Sequence, residues 1–129
     1  MSRPEPVGEG ALVWLVPDGF IPERSTGGLE SHEAVCVLNA SRREARLSLT
    51  FYFEDREPVR GEGVVVPAER TRHLRTDRPE EVGGARVPRG VPYAVRVESD
   101  VPVVVQHSRM DTGQEALALM TALAHPVGR

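Results

Sequence analysis

Residues 46–53 read Arg46-Leu47-Ser48-Leu49-Thr50-Phe51-Tyr52-Phe53. Leu47, Leu49, Phe51 and Phe53 fall on one side of an extended chain, and Arg46, Ser48, Thr50 and Tyr52 on the other. A strict period of two is the signature of a strand with one face buried and one in water. This stretch is therefore read as a half-buried antiparallel strand, closed by the acidic turn Glu54-Asp55-Arg56-Glu57-Pro58.

The same punctuation recurs on both sides. Upstream, Ala11 to Val16 is short and apolar and ends at Pro17-Asp18-Gly19. A loop from Gly19 to Glu30 follows, then a strand from Ser31 to Leu38 and a turn at Asn39-Ala40-Ser41. Downstream, Gly63 to Pro67 and Arg70 to Arg75 are two further strands broken at Pro67, and Thr76 to Gly90 is a polar connection. Tyr93 to Glu98 alternates again. Val101 to Arg109 begins apolar and ends polar, with Pro102 placed at a strand start or edge, where its missing N–H does no harm. Strands recurring every 8–12 residues or so point to a sandwich or barrel. The fold class is all-β: a single-domain antiparallel β-sandwich over residues 11–129, preceded by a loose Pro/Gly/Glu-rich tail at residues 1–10. The segment Glu115 to His125 stays open. Its Ala, Leu and Met, with Thr112 and Glu115 at capping-box spacing, favour a helix, yet Leu117, Leu119, Thr121 and Leu123 also alternate.

Composition narrows the classes of function. The chain has 129 residues, 40% hydrophobic but only 5% aromatic, so its core is built from Val, Leu and Ala. All 16 basic residues are Arg, a bias most simply ascribed to coding composition, and the net charge is -3. Acids and bases are interspersed, and no basic excess or aromatic stacking platform marks a nucleic-acid surface. The single cysteine, Cys36, lies in an apolar strand and reads as a small buried hydrophobe. No stretch approaches the ~20 apolar residues of a membrane span, and no signal peptide opens the chain, so a cytoplasmic address is expected.

Polar residues inside the predicted strands carry the functional signal. His32, His73 and His107 have charged or polar neighbours, and alternation puts His107 and Arg109 on the face of Val103 and Val105. If that face is the core side, its polar end needs partners. Imidazole, guanidinium and amide groups at one end of a sandwich would suit an anionic or polyhydroxylated small molecule. Equally, such groups satisfy one another, sit in water, or meet another subunit. The histidines lack the paired spacing of zinc ligands, and no nucleophile motif, phosphate loop or identifiable carboxylate pair supports catalysis. Neither enzyme activity nor a cofactor is expected.

Several stretches in order are similar to the soluble sensory rhodopsin transducer family. They are Gly19-Phe20-Ile21-Pro22, Ser31-His32-Glu33 running on to Asn39, Phe51-Tyr52-Phe53-Glu54-Asp55-Arg56-Glu57-Pro58-Val59, Val66-Pro67-Ala68-Glu69-Arg70-Thr71-Arg72-His73 and Val101 to Arg109. The closing Ala118 to Ala124 fits too, so the resemblance spans about residues 12 to 126. It implies a jelly-roll-like sandwich assembling as a homotetramer, a cytoplasmic location, and a role downstream of a membrane-embedded microbial rhodopsin. It also implies non-catalytic binding of a small polar ligand such as a sugar. DNA binding has been proposed for the family, but the net acidity here does not encourage it. On the resemblance, Leu117 to Ala124 becomes a strand. The polar positions of the shared stretches, His32, Glu33, Asn39, Arg70, His73, Gln106, His107 and Arg109, become the candidate ligand-binding residues. The N-terminal tail and the segment Arg78 to Arg86 look particular to this chain, which leaves any partner surface built from them open.

Overall fold

The computed structural model describes residues 9–23, 31–111 and 118–128. The alternating stretch is the third strand of an antiparallel β-sandwich. In chain order the strands are β1 (Ala11–Gly19), β2 (His32–Asn39), β3 (Ala45–Phe53), β4 (Val59–Val66), β5 (Arg70–Arg75), β6 (Tyr93–Asp111), β7 (Ala118–Leu123) and the short β8 (His125–Pro126). A single 3₁₀ turn, Pro79–Glu81, interrupts the loop between β5 and β6. As its pattern requires, β3 buries Leu47, Leu49 and Phe51. Phe53, at the strand end, is only half-buried.

One layer is ordered β4-β3-β6-β1-β8 and the other β5-β2-β6-β7. The long β6 belongs to both. Its first half pairs with β3 from Tyr93 to Ser99 and with β1, and its second half pairs with β2 and β7. The sequence suggested two strands here. They are one, and Pro102 stands inside it, between Ser99, which pairs with Leu47, and Val103, which pairs with Ala11. A residue with no N–H is tolerated there because the strand is changing layers. The Trp14 indole secures this crossing by donating to the Val103 carbonyl at 2.8 Å.

The C-terminal segment corrects the compositional expectation of a helix. Ala118–Leu123 is a strand, in register with β6 from Gln106↔Leu123 to Asp111↔Ala118. Backbone pairing at an open sheet edge outweighs the modest helix preference of Ala, Leu and Met. The capping-box pair Thr112 and Glu115 lies outside the described residues, as does the tail except for Glu9 and Gly10. Between the layers, Val35, Val37, Leu49, Phe51, Leu74, Val95, Val97, Val103 and Val105 are fully buried. The aliphatic core anticipated from the composition is the one that forms. Among the described residues no helix is long and apolar enough to cross a membrane.

Candidate functional site

Strand parity and register build the site. On β2 the inward series Glu33, Val35, Val37, Asn39 is buried, and on β6 the inward series Val103, Val105, His107, Arg109 faces it. The register sets Arg109 opposite Glu33 and His107 opposite Val35, one step along. Three polar groups thus meet at one end of an otherwise aliphatic interior.

Glu33 is wholly buried. Its carboxylate accepts a short hydrogen bond from Arg109 Nε, one from the Tyr93 hydroxyl at 2.6 Å, and one from the Phe20 backbone N–H at 2.8 Å. Without a partner, a buried carboxylate is destabilising by several kcal/mol; a guanidinium and two further donors offset that. Burial pushes the Glu33 carboxyl up, but the nearby His107 ring and the hydrogen bonds from Tyr93 and Arg109 outweigh it and hold the group below the usual glutamate range. Burial and the neighbouring carboxylate push the Tyr93 phenol well above its ordinary value, so it stays a donor. Tyr93 also shares a hydrogen bond with Thr76 Oγ1 at 3.1 Å and packs against Phe51 with ring centroids 5.7 Å apart. The ring reaches this place because position 19 is glycine: a Cβ there would stand 2.4 Å from the Tyr93 ring.

His107 is the exception. It is 6% exposed, and its Nε2 lies 3.5 Å from Glu33 Oε1, at the outer limit of a hydrogen bond. Among the described residues it is the one buried side-chain polar atom without a close partner. Beside it a cavity of about 420 Å³ opens between the end of β1, β6 and β7. His107, Arg109 and Asp18 supply its polar wall, and Val16, Met120 and Leu123 are among the apolar residues opposite. Asp18, 88% exposed at its side chain, is 3.8 Å from Arg109 Nη2. It lies where the register of β1 against β6 slips between Val16 and Gly19.

Of the eight residues singled out by sequence, the structure brings together Glu33, His107 and Arg109. His32, His73 and Gln106 have the opposite parity and stand on the outer face. His73 is opposite Cys36 on one side, Gln106 is opposite Cys36 on the other, and His32 is opposite Met110. Asn39 is buried but occupies the far end of β2. There its Nδ2 faces the carbonyls of Arg43, Val66 and Pro67 at 2.7, 3.1 and 3.2 Å. Its Oδ1 accepts from the Ser41 N–H and hydroxyl. Arg70, paired with Asn39, is exposed and donates to the Glu69 carbonyl. The expected convergence therefore narrows to three side chains. The sequence reading missed Tyr93, Thr76 and Asp18. Only Tyr93 carried a signal: a tyrosine in phase with Val95 and Val97 is headed for the core, where its hydroxyl needs a partner.

Comparison with known proteins agrees with this architecture. A search of curated protein sequences gives no match. Among solved structures, the Thermotoga maritima 1070 protein is 39% identical with a TM-score of 0.83, covering 92% of this chain and 97% of its own. The Anabaena sensory rhodopsin transducer is 38% identical with a TM-score of 0.70, covering 81% of this chain and 92% of its own. Residues 9–126 match the family described as Anabaena sensory rhodopsin transducer. An antiparallel sandwich of this topology, matched over nearly its whole length, makes the chain a member of the Anabaena sensory rhodopsin transducer family.

Proposed function

We propose that the chain is a non-catalytic signal-relay domain that binds a small, neutral, hydroxyl-rich molecule in the cavity beside Glu33, His107 and Arg109. The observation that carries this reading is the buried His107 Nε2, left without a close partner at the edge of a 420 Å³ space. A buried polar atom with no protein partner is uncommon and destabilising by roughly 1–3 kcal/mol. A ligand hydroxyl that reached Nε2 would remove that penalty. Arg109 still has N–H groups beyond the one given to Glu33, and they can donate to a second oxygen.

Charge selects among polar ligands. Arg109 is neutralised by Glu33, and Asp18 adds a further negative charge at the rim. A strongly anionic ligand would meet that excess, whereas a sugar-like molecule offers donors and acceptors without charge. Val16, Met120 and Leu123 would take its C–H face. The space suits such a molecule, since ligand cavities run from about 300 to 1,000 Å³. Catalysis is disfavoured because the buried carboxylate is held as the anion by three donors and is poorly placed to pass a proton on.

The relay part follows from the relative's role as a transducer of a sensory rhodopsin. We place this chain in the cytoplasm, receiving a signal from a membrane-embedded microbial rhodopsin. It acts there as a homotetramer whose contacts cover β7, where Leu119, Met120 and Leu123 are exposed. A second reading keeps the docking and dispenses with the ligand; that same exposed strand favours it. A thermal-shift screen over sugars and sugar acids separates the two. A ligand at 100 times its dissociation constant stabilises the folded state by about 2.7 kcal/mol. A shift that disappears in His107→Ala supports the ligand reading, and no shift from any compound leaves docking alone. Sedimentation checks the assembly.

A further inference from the structure

A second cavity, of about 280 Å³, opens beside the same Pro17–Asp18 segment. Tyr52, Phe53, Tyr93 and Pro92 line it, together with the acidic residues Asp18 and Glu54. The whole chain has one Trp, two Tyr and three Phe. Half of that scarce set lines one small space, together with two acids and no base. Tyr93 is explained by the core and Phe53 partly so. Tyr52 is not. It projects from the outer face of β3 opposite Ala94, whose methyl covers little of the ring, and it is 39% exposed.

Aromatic faces carry negative charge density, and a cation over such a face is attracted to it. Carboxylates at the margin of an aromatic wall strengthen the preference for a positive group. Outside the cavity lining, the chain already places a cation over one of these rings: the Arg56 guanidinium carbon stands 5.8 Å from the Phe53 ring centroid, while its Nε pairs with Asp55 at 3.1 Å. Arg109 approaches Asp18 only to 3.8 Å and is committed to Glu33.

We propose that this cavity is a docking site for a cationic side chain, above all the planar guanidinium of an arginine, presented by a basic segment of a protein partner. A guanidinium can stack on Tyr52 and reach a carboxylate in one pose, which a compact ammonium does less well. Basic segments are what membrane proteins present on their cytoplasmic side, so a receptor loop has the required chemistry. The inference goes beyond the ligand reading of the first cavity and does not depend on it.

The test is a titration with N-acetyl-arginine amide, followed by backbone amide shifts in ¹H–¹⁵N spectra. N-acetyl-citrulline amide serves as the uncharged control. The arginine compound should give saturable shifts at Phe53, Glu54 and Ala94, and citrulline none. Tyr52→Ala and Glu54→Gln should each weaken binding by roughly tenfold. Both positions are on the surface and should leave the spectrum otherwise intact, and His107→Ala should leave this binding unchanged. Absence of saturation, equal response to citrulline, or full affinity in both Tyr52→Ala and Glu54→Gln would overturn the proposal.

Discussion

Strand β2 buries a polar side chain at each end, Glu33 at one and Asn39 at the other, and the two ends are finished differently. Around Asn39 every polar atom is answered. Three carbonyls face its amide nitrogen, and Ser41 donates twice to its oxygen. The result is a closed knot that fixes the β2–β3 turn to the end of β4. Around Glu33 the carboxylate is answered but its neighbour is not: buried His107 Nε2 has only a 3.5 Å approach to Glu33 Oε1, and the residue lines a cavity. Saturated polar clusters hold a fold together, whereas an unsaturated one beside a cavity is, on the reading proposed above, where a ligand would bind. Burial and residue type alone would have ranked the two ends equally.

Substitutions that open the closed knot, or close the open one, sharpen this contrast. The largest effect is expected from Arg109→Met, which leaves the Glu33 charge buried without its cation. Urea denaturation should show a loss of about 3–5 kcal/mol. Adding Glu33→Gln to that variant should recover a large part of it, since the stranded charge is then gone. Asn39→Ala comes next, at about 2–3 kcal/mol, because several buried groups lose their partner together. Its effect should be confined to stability. Tyr93→Phe removes one hydrogen bond to a charged acceptor and should lower stability by about 1.5–2 kcal/mol.

Acid titration probes the same end. The Glu33 carboxyl is held below the ordinary glutamate range in the folded chain. A group with a depressed folded-state value contributes stability above its unfolded value and loses it as the pH falls through the folded value. The urea midpoint should therefore drop as the pH falls through and below the ordinary glutamate range. Glu33→Gln should be less steep there than wild type, while Asp77, which is also lowered, continues to contribute in both. Equal slopes would mean that Glu33 is not held as described. The smallest stability change, about 1 kcal/mol, is expected for His107→Ala, a residue with little to lose because it is poorly bonded.

Much of this was legible in the chain. Alternation at Leu47, Leu49 and Phe51 identified β3 and its buried face. Parity alone placed His107 and Arg109 with Val103 and Val105. Register was not legible. Arg109 meets Glu33 across 76 positions, and nothing local says that β2 lies beside the second half of β6 in this alignment. For the same reason His32, His73 and Gln106 looked as good as Glu33 and His107, although a one-residue difference in parity sends them to the other face. Asn39 looked like a site residue because a buried amide is indistinguishable, in sequence, from one whose partners are nearby carbonyls. The helical look of residues 115–125 had a similar origin: propensity is local, and the open edge of β6 that claims Ala118–Leu123 is not.

Calorimetric titration of neutral pentoses and hexoses into wild type, His107→Ala and Asn39→Ala, at a temperature where all three are folded, tests the contrast most directly. Saturable binding to wild type and to Asn39→Ala, lost in His107→Ala, is the expected result. Heat of binding that survives in His107→Ala, or none in wild type with any of these compounds, would contradict it.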